Sequence, residues 1–148
     1  MENKYYNNLK GIYDNCLKAK EETKKLFKQQ ISGDLIGLYQ KHLQALTCLY
    51  YDLSNELAEL KRSYEDKKAE RKMKEAQKYM EFKEEKNTAT DSKEMVKGVI
   101  ADDITEENKR EYYFNQTKNL SSAILELINT NKLILRRLED QYNNTKNI

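Results

Sequence analysis

Apolar residues recur along this chain at alternating intervals of three and four, most plainly from Ile36 onward. Ile36, Tyr39, Leu43, Leu46, Tyr50, Leu53, Leu57, Leu60 and Tyr64 fall on one stripe of a helix, the seam of a coiled coil. Carried past Tyr64, the same count lands on Lys67, Arg71, Lys74 and Lys78. The spacing persists while the chemistry switches from apolar to basic. An apolar seam needs another helix, and a basic seam is not buried without an anionic partner. The first half is therefore expected to serve assembly and the second to meet something negatively charged. Leu35, Leu38, His42 and Leu49 form a second stripe beside the first, so this end of the helix requires more than one neighbour.

The pattern predicts three further elements. Residues 3–31 read as a helix whose apolar face is Leu9, Ile12, Tyr13, Cys16 and Leu17, extended loosely by Phe27 and Ile31. Ser32-Gly33-Asp34 combines a glycine stop with an N-cap, which sets the long helix at 34–86. Residues 88–103 form a connecting segment, with Thr90 or Asp91 capping a short helix through Lys97 and Ala101-Asp102-Asp103 closing it. Thr105 starts a last helix to Asn143, with Glu106 and Glu107 suited to its positive end. Its seam reads Tyr113, Thr117, Leu120, Ile124, Leu127, Asn131, Ile134 and Leu138. A polar Asn131 in a seam fixes register or oligomer number at some cost in stability, or marks a solvated end.

The fold expected is all-α, a single domain built as an elongated helical hairpin of two long helices, with a short N-terminal helix and a small capped connecting segment. Leu46, Tyr50, Leu53, Leu57 and Leu60 are the seam residues of the first long helix. Leu120, Ile124, Leu127, Asn131, Ile134 and Leu138 are those of the second. Leu46, Leu53, Leu57 and Leu60 are expected to pack against Leu120, Ile124, Leu127 and Ile134.

Composition sharpens this picture. The chain has no proline, 35% charged and 38% hydrophobic residues, which suits long helices and leaves little for a compact globule. A homo-oligomer sharing its core is expected. The net charge of +2 implies neither nucleic acid nor membrane by itself. No run approaches the about 18 apolar residues of a membrane span, so no membrane partner is expected. Met1 to Lys10 is polar and lacks an apolar targeting core, which points to a cytoplasmic protein with Cys16 and Cys48 reduced.

Catalytic chemistry has no foothold. There is no glycine-rich phosphate loop, no nucleophile–base pair and no paired-cysteine motif, so neither an enzyme nor a cofactor is expected. Glu84-Glu85, Asp102-Asp103 and Glu106-Glu107 are sequence neighbours and read as solubility and capping residues. His42 is the only histidine; without clustered ligands it reads as a packed or hydrogen-bonded side chain, with no metal site. The basic run is the exception. Lys67, Lys68, Arg71, Lys72, Lys74 and Lys78, with Tyr79 beside them, combine phosphate-neutralising charge with an aromatic surface for unpaired bases. The same run would also serve as a solvated face in which Glu65, Glu70 and Glu75 pair with neighbouring lysines.

A family resemblance bears on this choice. The layout is a long helix, apolar then basic, ending in the aromatics of Lys74 to Phe82. The segment Thr88-Ala89-Thr90-Asp91-Ser92-Lys93 follows, then the Ala101 to Asp103 turn, then a helix ending in Leu135-Arg136-Arg137-Leu138. Over about residues 35–142 this resembles the UvsY-type recombination-mediator proteins of tailed bacteriophages. The resemblance implies a ring-like oligomer that binds single-stranded DNA and helps load a recombinase onto strands coated by a single-strand-binding protein, in the host cytoplasm. It matches the family's DNA-contacting stretch to Lys74 with Lys72 and Lys78, whereas Ala76 stands where that pattern has an arginine. Residues 3–31 have no counterpart. The rival reading is a phage structural, assembly or host-interaction protein that acts through helix–helix contacts without nucleic acid.

Overall fold

A computed structural model of the chain describes residues 2–30 and 32–146, with side chains from residue 7 onward. Four helices follow one another, α1 (Glu2–Leu26), α2 (Gly33–Glu84), α3 (Ala89–Val99) and α4 (Ala101–Lys146), and no strand occurs among the described residues. The all-α expectation holds. No helix among these residues is long and apolar enough to cross a membrane.

The helix boundaries have local causes. Ser32 Oγ accepts the Leu35 amide at 3.1 Å, and Asp34 in the first turn complements the positive end of α2. At its other end α2 stops where Lys86 takes a left-handed backbone, φ 64°. The cap of α3 is Thr88, not Thr90 or Asp91. Its side chain accepts the Asp91 amide at 3.1 Å while its hydroxyl donates to the Asp91 carboxylate at 2.6 Å. The last helix begins at Ala101, four residues before Thr105. Ala101-Asp102-Asp103 is thus the first turn of α4 and no loop. α1 ends at Leu26, and Phe27 is exposed and extends no apolar face. Ile31 lies outside the described residues.

The tertiary contacts divide the chain into two compact units. One contains residues 1–56 and 117–148, the other residues 57–116. In the first, α1, α2 and α4 pack around two apolar clusters. Cys16, Leu46, Leu49, Leu53, Ile124 and Ile128 form one, flanked by Ile12, Leu43, Tyr50, Leu120 and Leu127. Leu26, Leu35, Tyr39 and Leu138 form the other, flanked by Ile36, Ile134 and Leu135. These pairings run α2 and α4 antiparallel. Ile134 packs beside Leu35 and Tyr39 instead of beside Leu46 and Leu53. The buried stripe of α1 is Ile12, Cys16, Ala19, Thr23 and Leu26, and the expected members Tyr13 and Leu17 point outward. His42 is a buried, hydrogen-bonded side chain. Thr23 spends its only hydroxyl hydrogen on the Ala19 carbonyl at 2.9 Å, so its oxygen accepts from His42 Nε2–H at 2.8 Å.

The second unit holds the basic half of α2, all of α3 and the start of α4. Its buried apolar side chains are Leu60, Val96 and Ile100, and Leu57 is half-buried. So small an apolar core leaves polar pairing to define much of the packing.

Candidate functional site

On α2 the three-four count after Tyr64 keeps Lys67, Arg71 and Lys74 on the face turned toward α4. On α4 the same count, run backward from Thr117, gives Phe114, Arg110, Glu107 and Asp103, and it continues through Ile100 at the junction to Val96 on α3. Every one of these positions is buried or half-buried. The two polar stretches meet as a ladder of opposite charges. Lys67 Nζ donates to Asp103 Oδ1 at 2.8 Å and Lys74 Nζ to Asp103 Oδ2 at 2.7 Å, so one carboxylate bridges two ammonium groups. Arg71 Nε donates to Glu107, and its Nη1 reaches Glu75 at 2.7 Å. The pairing is sheltered: Lys67 and Asp103 side chains are 11% and 14% exposed, Arg71 and Glu107 16% and 11%.

The ladder continues toward Tyr64. Arg110 Nη1 donates to the Ser63 carbonyl at 3.1 Å, and Arg110 Nε pairs with Glu106 at 3.0 Å. The Tyr64 and Phe114 rings stack 6.4 Å apart with 12° between their planes. Lys68 donates to the Tyr64 hydroxyl at 3.3 Å and lies over its ring. These contacts shift the titrations. Hydrogen bonds from Lys67 and then Lys74 hold the Asp103 carboxyl down at about 2. The bond to Asp103 raises Lys67, and the bond to Glu107 raises Arg71.

The anionic partner that the basic seam requires is therefore supplied by the same chain. Asp103 and Glu107, read from the sequence as solubility and capping residues, are instead the counter-charges of the seam. Of the seven residues assigned to nucleic acid, Lys67, Arg71 and Lys74 are engaged by α4, Lys68 by Tyr64, and Lys78 by Glu81 at 2.5 Å.

Lys72 and Tyr79 differ. With Ala76 and Glu75 they line an open groove of about 610 Å³, whose other wall is Lys93, Val96 and Lys97 of α3. Lys97 pairs with Glu94 at 2.6 Å, whereas Lys72 and Lys93 make no ion pair with any described residue. Sequence reasoning missed the α3 lysines because α3 read as a connector. Their i, i+4 spacing on a capped helix was the available signal.

In the first unit, a groove of about 420 Å³ between α1 and α2 is lined by His42, Cys48 and Asp52 among others. Among the described residues no three His, Cys, Asp or Glu side chains stand together as a metal site. The chain matches no protein-family model, no curated protein and no solved structure. The resemblance to UvsY-type mediators thus rests on the residue layout alone.

Proposed function

We propose that this chain is a non-enzymatic interaction protein that works by docking helices of other chains, its own copies included. The observation that carries this reading is what α2 presents outward once its basic seam is engaged by α4. Ala69, Met73, Ala76 and Met80 follow one another at four, three and four, on one stripe of the helix. Met73 and Met80 are 75% and 61% exposed. An apolar stripe at helical spacing, with alanines that let a second backbone approach, suits a partner helix. Solvent-exposed apolar side chains that continue a periodic pattern are a better interaction signal than isolated ones.

The single-stranded DNA reading keeps a narrower support. Lys72 and Tyr79 share their groove with Lys93 and Lys97, a smaller cationic surface than the seam promised. Purification of the tagged chain in high salt, beside the Met73→Glu/Met80→Glu variant, tests the choice. A stoichiometric partner or self-oligomer kept by the wild type and lost by the variant is expected. Fluorescence anisotropy with single-stranded and duplex DNA supplies the counter-test. Strand-selective binding that survives about 150 mM salt, without any protein partner, would overturn the proposal in favour of a mediator-like role.

A further inference from the structure

The groove between α2 and α3 has two chemically distinct parts. One is apolar, lined by the exposed Ala76, the buried Val96 and the half-buried Tyr79; the other is cationic, lined by Lys72, Lys93 and Lys97. The one carboxylate that lines it, Glu75, is held by Arg71. Two ammonium groups, those of Lys72 and Lys93, face solvent with no ion-pair partner among the described residues. Ala76 belongs both to this groove and to the outward Met73–Met80 stripe, so apolar surface runs from the groove onto the methionines.

We infer that this groove docks an amphipathic helix of a partner protein that carries Asp or Glu along one flank of its apolar stripe. This rests on the helix-docking function proposed above and names the chemistry of its partner. The acidic flank answers Lys72 and Lys93. The apolar stripe seats over Ala76, where the missing side-chain bulk admits a close approach, between the adaptable methionines. A nucleic-acid strand would use the lysines and stack a base on Tyr79, but it would leave Met73 and Met80 without a role. The lining runs from Lys72 to Tyr79 on α2 and from Lys93 to Lys97 on α3, about 10 Å and about 6 Å of helix, enough for one to two turns of an incoming helix.

The test is selection from a displayed library of about 18-residue helices, with leucine fixed on the seam and charged or polar residues randomised on both flanks. The full chain is the target, as wild type and as Lys72→Glu/Lys93→Glu. Both substitutions are at exposed positions, and thermal melts should coincide; Lys72→Gln/Lys93→Gln is the milder control. The wild type should enrich Asp and Glu on one flank, and the charge-reversed variant should enrich Lys and Arg there. Winning peptides should lose about tenfold in affinity on the reversed variant. Winners without flank bias, or ones that bind both proteins alike, would overturn the assignment of this groove. Tighter binding of an about 20-nucleotide oligo-dT, lost in the same variants, would make it a strand site instead. Survival of the high-salt partner, with lysine-insensitive winners, would sink only the groove. Loss of both the partner and the winners would sink the docking function itself.

Discussion

Replacing Glu107 by leucine probes whether the ladder between α2 and α4 holds the second unit together. The change removes the carboxylate that meets Arg71 Nε and leaves a guanidinium that is 16% exposed. Breaking a fully buried pair by deleting one partner costs about 3–5 kcal/mol, while an exposed pair is worth about 0–1 kcal/mol. Arg71 keeps Glu75 at 2.7 Å and some access to water, which places the expected loss between these limits, at about 2 kcal/mol. At this chain length that corresponds to a melting-temperature drop of about 4–8 °C. The double variant Arg71→Leu/Glu107→Leu should recover to within about 1 kcal/mol of wild type, because no uncompensated charge then remains. Urea denaturation followed by far-ultraviolet circular dichroism gives each stability and the coupling between the two sites. Amide exchange over residues 57–116 reports whether the loss is local. A Glu107→Leu variant within about 0.5 kcal/mol of wild type, or a double variant that costs the sum of the singles, would refute the reasoning.

Three further outcomes are expected. Acid should act in two windows. His42 is pushed below its ordinary value by burial, against a smaller opposing effect of Glu22, so the unfolded chain takes up that proton first. Stability should fall as pH drops below about 6.5, and His42→Gln should flatten this slope. Asp103, held at about 2, contributes stability that is whole above about 4 and lost as pH falls through about 2; Asp103→Asn should lack that second transition in an acid titration. Thr117 Oγ1 is buried with no hydrogen-bond partner among the described residues, so the isosteric Thr117→Val should raise stability by about 0.5–1 kcal/mol in urea melts. Cys48 is exposed and Cys16 is buried with its thiol pushed up by desolvation, so a thiol reagent at neutral pH should label Cys48 first and Cys16 only upon unfolding.

The apolar half of the fold was legible in the sequence because leucine at three-four spacing leaves few other arrangements. The detail was less so. From Thr117 onward the deepest positions of α4 are Thr117, Ser121, Ile124, Ile128, Asn131 and Leu138, while Leu120, Leu127 and Ile134 sit half-buried on the flank. Residue type had pointed to the leucines, but the register of the helix is set by the whole face, and its line passes through Ser121. The start of α4 was obscured for a related reason. Thr105 followed by glutamates is good cap chemistry, yet Ile100, Asp103, Glu107 and Arg110 already follow the seam spacing. A periodicity search weighted by hydrophobicity skips them. A search for complementary charge at matching spacing on two antiparallel helices would have paired Lys67, Arg71 and Lys74 with Asp103 and Glu107.

That pairing does something apolar residues do poorly, which is to choose one register among several. Leucine meets leucine with little penalty after a slip of one heptad, since burial is non-directional. The ladder is not so tolerant. Slipping α4 by seven residues in one direction would take Asp103 from between Lys67 and Lys74 to between Lys74 and Glu81, placing carboxylate against carboxylate. Slipping it the other way would set Asp103 between Leu60 and Lys67, without Lys74, and Glu107 against Tyr64 instead of Arg71, leaving the sheltered Glu107 carboxylate without its present cation. A single polar pair is known to specify register in coiled coils at a cost in stability; here three cations and two carboxylates do so over two turns. The second unit has few buried apolar residues with which to hold α3 against α2. A fixed register between α2 and α4, which follows α3 after only Ile100, is what keeps Lys93 and Lys97 opposite Lys72 and Tyr79. The basic seam thus positions the groove, while its own charges are spent inside the chain.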